Sequence, residues 1–181
     1  MRRPLLLAAV LLLAGCGQPE LEPLKTDRAA EPQRAELGWR ESYPSTGQRL
    51  VFVVDTLEVT EEGWSADIAV TNLTRIPFEL GAAPEPLAFG LTLFANDDLD
   101  ELEEASKNGR LPPPRLATRF DPAPPDVLAP QQTWRTTMSA PGSLADGAYV
   151  RVSFGWLVAK GDPPESMVRR VHWTTDRSYR L

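Results

Sequence analysis

The strongest constraint on the fold is an alternation of apolar and polar side chains. In residues 64–72 the apolar positions are Trp64, Ala66, Ile68 and Val70. A period of two predicts a strand with one buried face. Residues 49–60 come before it and are rich in β-branched and aromatic types, with Leu50, Phe52 and Val54 on one face. Because a Glu-Glu-Gly segment separates the two runs, they predict a hairpin.

Similar strand patterns recur towards the end of the chain. Residues 87–94 predict one strand, and residues 132–139 alternate around Trp134, Thr136 and Met138. Residues 148–159 predict a long strand with Val150, Val152, Phe154 and Trp156 on one side. Residues 166–175 predict a last strand in which Met167, Val171 and Trp173 share a face. The chain is therefore expected to form an all-β, antiparallel β-sandwich of about seven or eight strands.

Residues 96–104 form an acidic cluster with six carboxylates in nine residues. A calcium loop starting at Asn96 would use Asp98 and Asp100 as ligands, but Glu101 stands at the position of its turn glycine and Lys107 at that of its last carboxylate. The cluster is better interpreted as one short helix near residues 98–107. Asp98 would be its N-cap with Glu101 three residues on, and Asn108-Gly109 would end it.

Proline and asparagine mark two further segments. Residues 111–130 contain seven prolines around a short strand candidate at residues 115–120. They predict exposed extended loops that connect the sheets stiffly, or alternatively a polyproline segment for a partner. In residues 72–80, Pro77 predicts an edge strand or a bend. Asn72-Leu73-Thr74 matches a glycosylation sequon, but Asn72 is interpreted as the end of a strand.

The first residues have the composition of an export signal. Arg2 and Arg3 come before an apolar run at residues 4–13. Ala14-Gly15-Cys16 follow this run. The run is too short to span a bilayer, since a transmembrane helix needs about 20 apolar residues. The tetrapeptide Leu13-Ala14-Gly15-Cys16 resembles the lipobox of bacterial lipoprotein precursors. That resemblance implies that residues 1–15 are a cleaved signal peptide and that Cys16 is the lipid-attachment site, acylated with chains such as palmitate.

The same resemblance implies a location and a domain order. The mature chain would be anchored to the membrane through lipid, on the extracytoplasmic side of the bacterial cell envelope. Gly17 after the cysteine favours the outer membrane, facing the periplasm, where a cell has two membranes. Residues 16–37 would then be the lipidated cysteine and a disordered tether, or alternatively a helix at residues 28–37, and residues 38–181 the β-sandwich domain. Cys16 is the single cysteine, so no intrachain disulfide can form.

A second resemblance concerns residues 144–149, Leu-Ala-Asp-Gly-Ala-Tyr. This segment looks like the tyrosine corner of immunoglobulin-like domains, and residues 125–160 are similar to immunoglobulin-like modules of bacterial envelope lipoproteins. The likeness departs from antibody-type domains because Asp146 is three residues before Tyr149 and no cysteine pair is present. It implies an immunoglobulin-like sandwich in which the Tyr149 hydroxyl ties a loop to the sheet.

Charge and histidine content limit the function classes. Without Arg2 and Arg3 the chain has 17 basic and 25 acidic side chains, a net charge near −8, which argues against nucleic acid as a partner. His172 is the single histidine and is interpreted as an exposed strand residue, not as a catalytic base. No Gly-x-Ser-x-Gly elbow is present. One alternative is a copper site formed by Met138, Met167 and His172. Core packing explains the strand positions of these three residues equally well.

These observations predict a non-catalytic binding or assembly domain that faces the envelope exterior. No catalytic residue, cofactor or metal is expected, and the protein partner is an envelope protein that the sequence does not identify. One alternative is an extracellular protease inhibitor that acts through residues 111–130. A carboxylate-based hydrolase is the other, since pairs of Asp and Glu have no fixed sequence spacing.

Overall fold

Twelve strands and one short helix make up the described part of the chain, which comprises residue 24, residues 28–81 and residues 87–181 of a computed structural model. The strands are β1 Gln33–Tyr43, β2 Leu50–Val59, β3 Gly63–Asn72, β4 Phe78–Leu80, β5 Gly90–Phe94, β6 Arg115–Leu116, β7 Arg119–Asp121, β8 Val127–Leu128, β9 Thr133–Pro141, β10 Tyr149–Ala159, β11 Arg170–Thr174 and β12 Tyr179–Arg180. The helix is α1, Leu99–Lys107. Two antiparallel sheets enclose one apolar core, as the sequence predicts. Cys16 and the predicted signal segment lie outside the described residues.

The first sheet has the strand order β1-β2-β3-β9-β7. The inward positions predicted for β3 and β9 are buried, which confirms the predicted alternation in residues 64–72 and 132–139. In β2 the register shifts between Val54 and Thr56, so that Asp55 is an extra residue. Because a bulge reverses the facing of the residues after it, the buried positions change from Leu50, Phe52 and Val54 to Leu57 and Val59.

The second sheet is built around β10. Strands β5 and β4 pair with one side of β10, β11 and β12 pair with the other, and β6 and β8 extend the sheet beyond β5 and β4. The register with β11 shifts between Phe154 and Leu157. Leu157 is therefore buried in the core, whereas Trp156 is only half-buried. The prediction that Trp156 shares the inner face with Phe154 is wrong for this reason.

Residues 115–121 connect the two sheets, as the Pro-rich segment predicts. β6 pairs with β5 in the second sheet and β7 pairs with β9 in the first. The change occurs between two residues: the backbone N–H of Ala117 donates to Phe89 over 2.8 Å, and that of Thr118 donates to Ser139 over 2.9 Å. The single predicted strand is thus two strands, and the segment closes one edge of the sandwich.

The fold begins earlier in the chain than predicted. β1 begins at Gln33, so residues 33–37 belong to the sheet and not to a tether or a helix. Ala29 bridges Ala145, and Ala30 is buried in the core. The predicted boundary at residue 38 is wrong because Ala35 and Leu37 face inward and alternate with the exposed Arg34 and Glu36, a strand pattern that the charged composition of the segment obscured.

The helix and its N-cap are confirmed. Asp98 accepts hydrogen bonds from the backbone N–H groups of Asp100 and Glu101. The Glu101 side chain does not return to the Asp98 N–H but accepts from Asn96 Nδ2 over 2.9 Å, while Asp98 N donates to Asn96 Oδ1 over 3.0 Å. Asn96 therefore completes the cap.

The number of strands also differs from the prediction. Seven strands have five or more residues, close to the number predicted, and the other five have two or three. β5 begins at Gly90 and β11 at Arg170, later than predicted. Pro77 lies between a bend at residues 74–76 and the start of β4. None of the helices among the described residues combines the length and apolar character needed to cross a membrane.

Candidate functional site

A cavity of about 410 Å³ lies beside β11, at an edge of the second sheet. Its walls carry the rings of Tyr43, Trp156, His172 and Trp173. The aliphatic side chains of Leu111 and Val168 also line it. Its volume and its aromatic lining are typical of sites that bind small molecules. The cavity is the candidate functional site.

Trp173 is held in place on two sides. Its indole nitrogen donates to Oε2 of Glu41 on β1 over 2.9 Å. Its ring is stacked on Phe52 in the core, with centroids 6.0 Å apart and planes 3° apart. The Tyr43 ring lies 5.9 Å from the same indole. This wall of the cavity is therefore formed in advance of any ligand.

The carboxylate of Glu41 also binds the chain beyond β11. It accepts from the backbone N–H groups of Asp176 over 3.0 Å and Arg177 over 3.2 Å. Burial raises the pKa of Asp176, and the charge of Glu41 raises it further. Since both oxygens of Glu41 already accept hydrogen bonds, this carboxylate holds the two edge strands together.

His172 forms the opposite wall with Trp156. The two rings lie 5.1 Å apart between centroids. Burial lowers the pKa of His172, so its ring is neutral at pH 7. The expectation of an exposed histidine is wrong, since the side chain is half-buried. Gly155 makes this packing possible, because a Cβ at that position would lie 2.3 Å from Cδ2 of His172.

Polar groups are few in the lining. Ser106 of α1 contributes a hydroxyl, and Arg170 at the start of β11 contributes a guanidinium. Among the described residues that line the cavity, Arg170 is the one whose side chain carries a full charge at pH 7, and none is a carboxylate. The cavity thus combines an apolar interior with one positive charge.

A buried arginine forms a second polar cluster nearby. The Arg151 side chain is 1% exposed, and its Nη2 donates to Oδ1 of Asp97 over 2.7 Å. Its Nη1 donates to the backbone oxygens of Thr175, over 3.1 Å, and Asp176. Burial lowers its pKa, an effect that Asp97 opposes. Arg151 joins the loop before α1 to the loop after β11. Sequence reasoning missed it, although a charged residue inside a long apolar strand was a signal.

The structure separates the other residues that the sequence singled out. Met138 and Met167 belong to the hydrophobic core, whereas His172 faces the cavity. Within the part of the chain that is described, no group of three or more His, Cys, Asp or Glu side chains is arranged to hold a metal ion.

Asn72 ends β3, as predicted, and both the nitrogen and the oxygen of its side-chain amide form hydrogen bonds. Its Nδ2 donates to the backbone oxygens of Ile76 over 2.8 Å and Leu128 over 3.1 Å. Its Oδ1 accepts from the backbone N–H and the hydroxyl of Thr74. The side chain of Asn72 thus joins the bend before β4 to β8 inside the fold.

Comparison with protein families, with curated proteins and with solved structures finds no match for this chain.

Proposed function

We propose that this chain is a lipid-anchored binding protein of the bacterial cell envelope, and that its β-sandwich takes an apolar ligand in the cavity beside β11. The observation that carries the proposal is the preformed aromatic wall, in which Glu41 holds Trp173 in place. A site whose rings are already positioned loses little conformational freedom when a ligand enters. Binding is therefore favoured without further rearrangement.

The lining is suited to binding more than to catalysis. Aromatic rings supply large contact areas, and edge-to-face or offset contacts with a ligand ring add about 0.5–1.5 kcal/mol each. The ring contact that His172 makes is with Trp156, and burial keeps this imidazole neutral. These features support a non-catalytic role for the single histidine.

The anchor rests on the first residues. Arg2 and Arg3, the apolar run and the Leu-Ala-Gly-Cys segment support export followed by acylation of Cys16. Stable anchoring takes two signals such as two acyl chains, because one chain gives only marginal membrane binding. The acidic mature chain would then present its cavity from a membrane surface.

Binding of a neutral aromatic probe tests the cavity. We expect indole to bind the full-length protein in vesicles, measured by ligand-observed NMR. Val168 lines the cavity and is 54% exposed. Val168→Trp should therefore fill the opening of the cavity and weaken the binding of indole at least tenfold. Leu116→Trp is the matched control, because Leu116 is 43% exposed on β6 and does not line the cavity. Equal loss in both variants, or no binding of indole to the unaltered chain, would contradict the proposal.

Metabolic labelling with palmitate tests the anchor. The unaltered chain should incorporate label and sediment with membranes, and Cys16→Ser should do neither. Gly17→Ala, a change beside the acceptor cysteine, is expected to keep both properties. Label retained by Cys16→Ser would rule out Cys16 as the acylated residue.

A further inference from the structure

We infer that a second cavity, where β1 ends and β2 begins, binds a phosphate group. This phosphate cavity has a volume of about 250 Å³. Its lining residues are Arg40, Glu41, Ser42, Ser45, Arg49 and Val51. The inference goes beyond the proposed function, because the phosphate cavity and the aromatic cavity beside β11 have no lining residue in common.

Strand register brings the two arginines to one side of the first sheet. Trp39 is buried in the core, so Arg40 and Ser42 on the same strand face outward. Ser42 pairs with Val51 of β2, and Arg49 stands two residues before Val51. Since side chains two residues apart on a strand share a face, Ser42 occupies a position between Arg40 and Arg49.

Both guanidinium groups are available to an anion. Arg40 is exposed and Arg49 is half-buried, and neither forms an ion pair with a described residue. Nη1 of Arg49 donates to the backbone oxygen of Gly47 over 3.4 Å, which is a long hydrogen bond. The Glu41 carboxylate does not neutralise them by direct contact, because its two oxygens accept three N–H groups on the opposite side of β1.

The donor set matches a phosphate group. A guanidinium binds two oxygens of a phosphate in parallel, and such charge-assisted hydrogen bonds are about twice as strong as neutral ones. The hydroxyls of Ser42 and Ser45 can donate to further oxygens. A carboxylate offers only two oxygens, whereas a phosphate group offers up to four. The phosphate therefore has enough acceptors for two arginines and two serines.

Charge and size support the same class of ligand. The whole chain has 25 acidic and 19 basic side chains, so most of its surface repels anions. Two unpaired arginines in one cavity are a local exception. Cavities that enclose a whole small molecule measure about 300–1,000 Å³. At about 250 Å³, the phosphate cavity is suited to a phosphate with a short adjoining group.

A phosphate of this kind has two possible sources. It can be a soluble phosphate monoester, or it can be the phosphodiester of a lipid headgroup. Glycerol phosphate represents the monoester, and glycerophosphoglycerol represents the headgroup without its acyl chains. Glycerate is a carboxylate of similar size and tests whether the phosphate itself is recognised.

Ligand-observed NMR with these three probes tests the cavity. Each probe would be titrated at constant ionic strength into the full-length protein in dodecyl maltoside micelles, which contain no phosphate. We expect at least one of the two phosphate esters to bind at least tenfold more tightly than glycerate.

Arginine variants locate the effect. Arg40→Gln and Arg49→Gln should each weaken the binding of the preferred ester at least tenfold. Arg119→Gln is the matched control and should keep the affinity. Arg119 is exposed on β7, at the opposite edge of the same sheet from β1, and does not line the phosphate cavity.

Each outcome decides a separate point. The inference would be overturned if neither ester binds, if glycerate binds as tightly, or if Arg119→Gln loses as much affinity as the other two variants. Where the site is supported, glycerophosphoglycerol that binds at least as tightly as glycerol phosphate assigns it to a lipid headgroup, and weaker binding assigns it to a soluble monoester. Because indole tests a different cavity, either proposal can fail while the other stands.

Discussion

The indole nitrogen of Trp173 donates to Oε2 of Glu41 over 2.9 Å, and this hydrogen bond joins the edge strands of the two sheets. Among the described strands, β1 pairs with β2 alone and β11 pairs with β10 alone, so each lies at an edge of its sheet. At the opposite edge the chain itself crosses between the sheets at Ala117 and Thr118. A side-chain contact therefore closes one edge of the sandwich, and the backbone closes the other.

Glu41→Gln should destabilise the domain by about 2 kcal/mol, because an amide oxygen cannot replace a carboxylate that accepts three N–H donors. Urea unfolding measures the change. Glu36→Gln is the matched control on the same strand, since Glu36 forms an exposed ion pair with Arg34 and should cost under about 0.5 kcal/mol. Equal losses for the two variants would show that Glu41 does not join the sheets.

Asn72→Asp should cost about 3 kcal/mol, since it removes two buried donors and places a carboxylate against the backbone oxygens of Ile76 and Leu128. Thermal unfolding measures the loss. The comparison variant is Gln131→Glu, the same change from amide to carboxylate at an exposed side chain, which should change stability by less than about 0.5 kcal/mol. A small effect at Asn72 would mean that the hydrogen bonds of its amide do not stabilise the domain.

Stability should depend on Asp67 above about pH 4. The hydroxyls of Thr137 and Thr56 donate to its carboxylate over 2.6 and 2.7 Å, and these hydrogen bonds lower its pKa. The unfolded chain, with a pKa of about 3.9, therefore takes up the proton first on acidification. The stabilisation is complete above that pH and is lost as pH falls through the folded-state pKa.

Asp67→Asn should accordingly lose about 1 kcal/mol at pH 7, and the difference from the unaltered chain should shrink below pH 4. Asp55→Asn provides the control, because Asp55 forms an exposed ion pair with Arg135, at 3.6 Å. A difference that stays constant from pH 7 to pH 3 would refute a lowered pKa at Asp67.

His172 should make the domain less stable in acid. Burial lowers its folded-state pKa, so the unfolded chain binds a proton below about pH 6.5 while the folded chain stays neutral. Stability then falls by up to about 1.4 kcal/mol per pH unit until the folded-state pKa is reached. His172→Gln should lack this decrease between pH 7 and pH 5, as measured by urea unfolding. Parallel profiles for the two proteins would contradict the assignment.

The sequence predicted the fold class and the helix correctly because strand alternation and helix capping depend on residues that are close together in the chain. Alternation places Trp64 and Trp134 on buried faces, and the carboxylate of Asp98 reaches the N–H groups two and three residues further along. The error at Trp156 has a tertiary cause. The register shift against β11 rotates the end of β10, and no alternation within residues 148–159 contains that information.

The cavity could not be predicted for the same reason. Its rings come from β1, β10 and β11, and Tyr43 is more than a hundred residues away from Trp173 in the chain. Sequence reasoning noted His172 and Trp173 as strand residues but had no means of pairing Trp173 with Glu41. The charge of Arg151 was visible, but its buried hydrogen bonds depend on two loops that meet only in the folded chain.

The sequence by itself determined an all-β domain with one capped helix, because alternation and capping act over a few residues. Export and lipidation at Cys16 stay predictions from the sequence. Only the tertiary structure decided where the sandwich closes and where its aromatic cavity lies. Both depend on contacts between edge strands that are distant in the chain, and such contacts form only when the two sheets pack around one core.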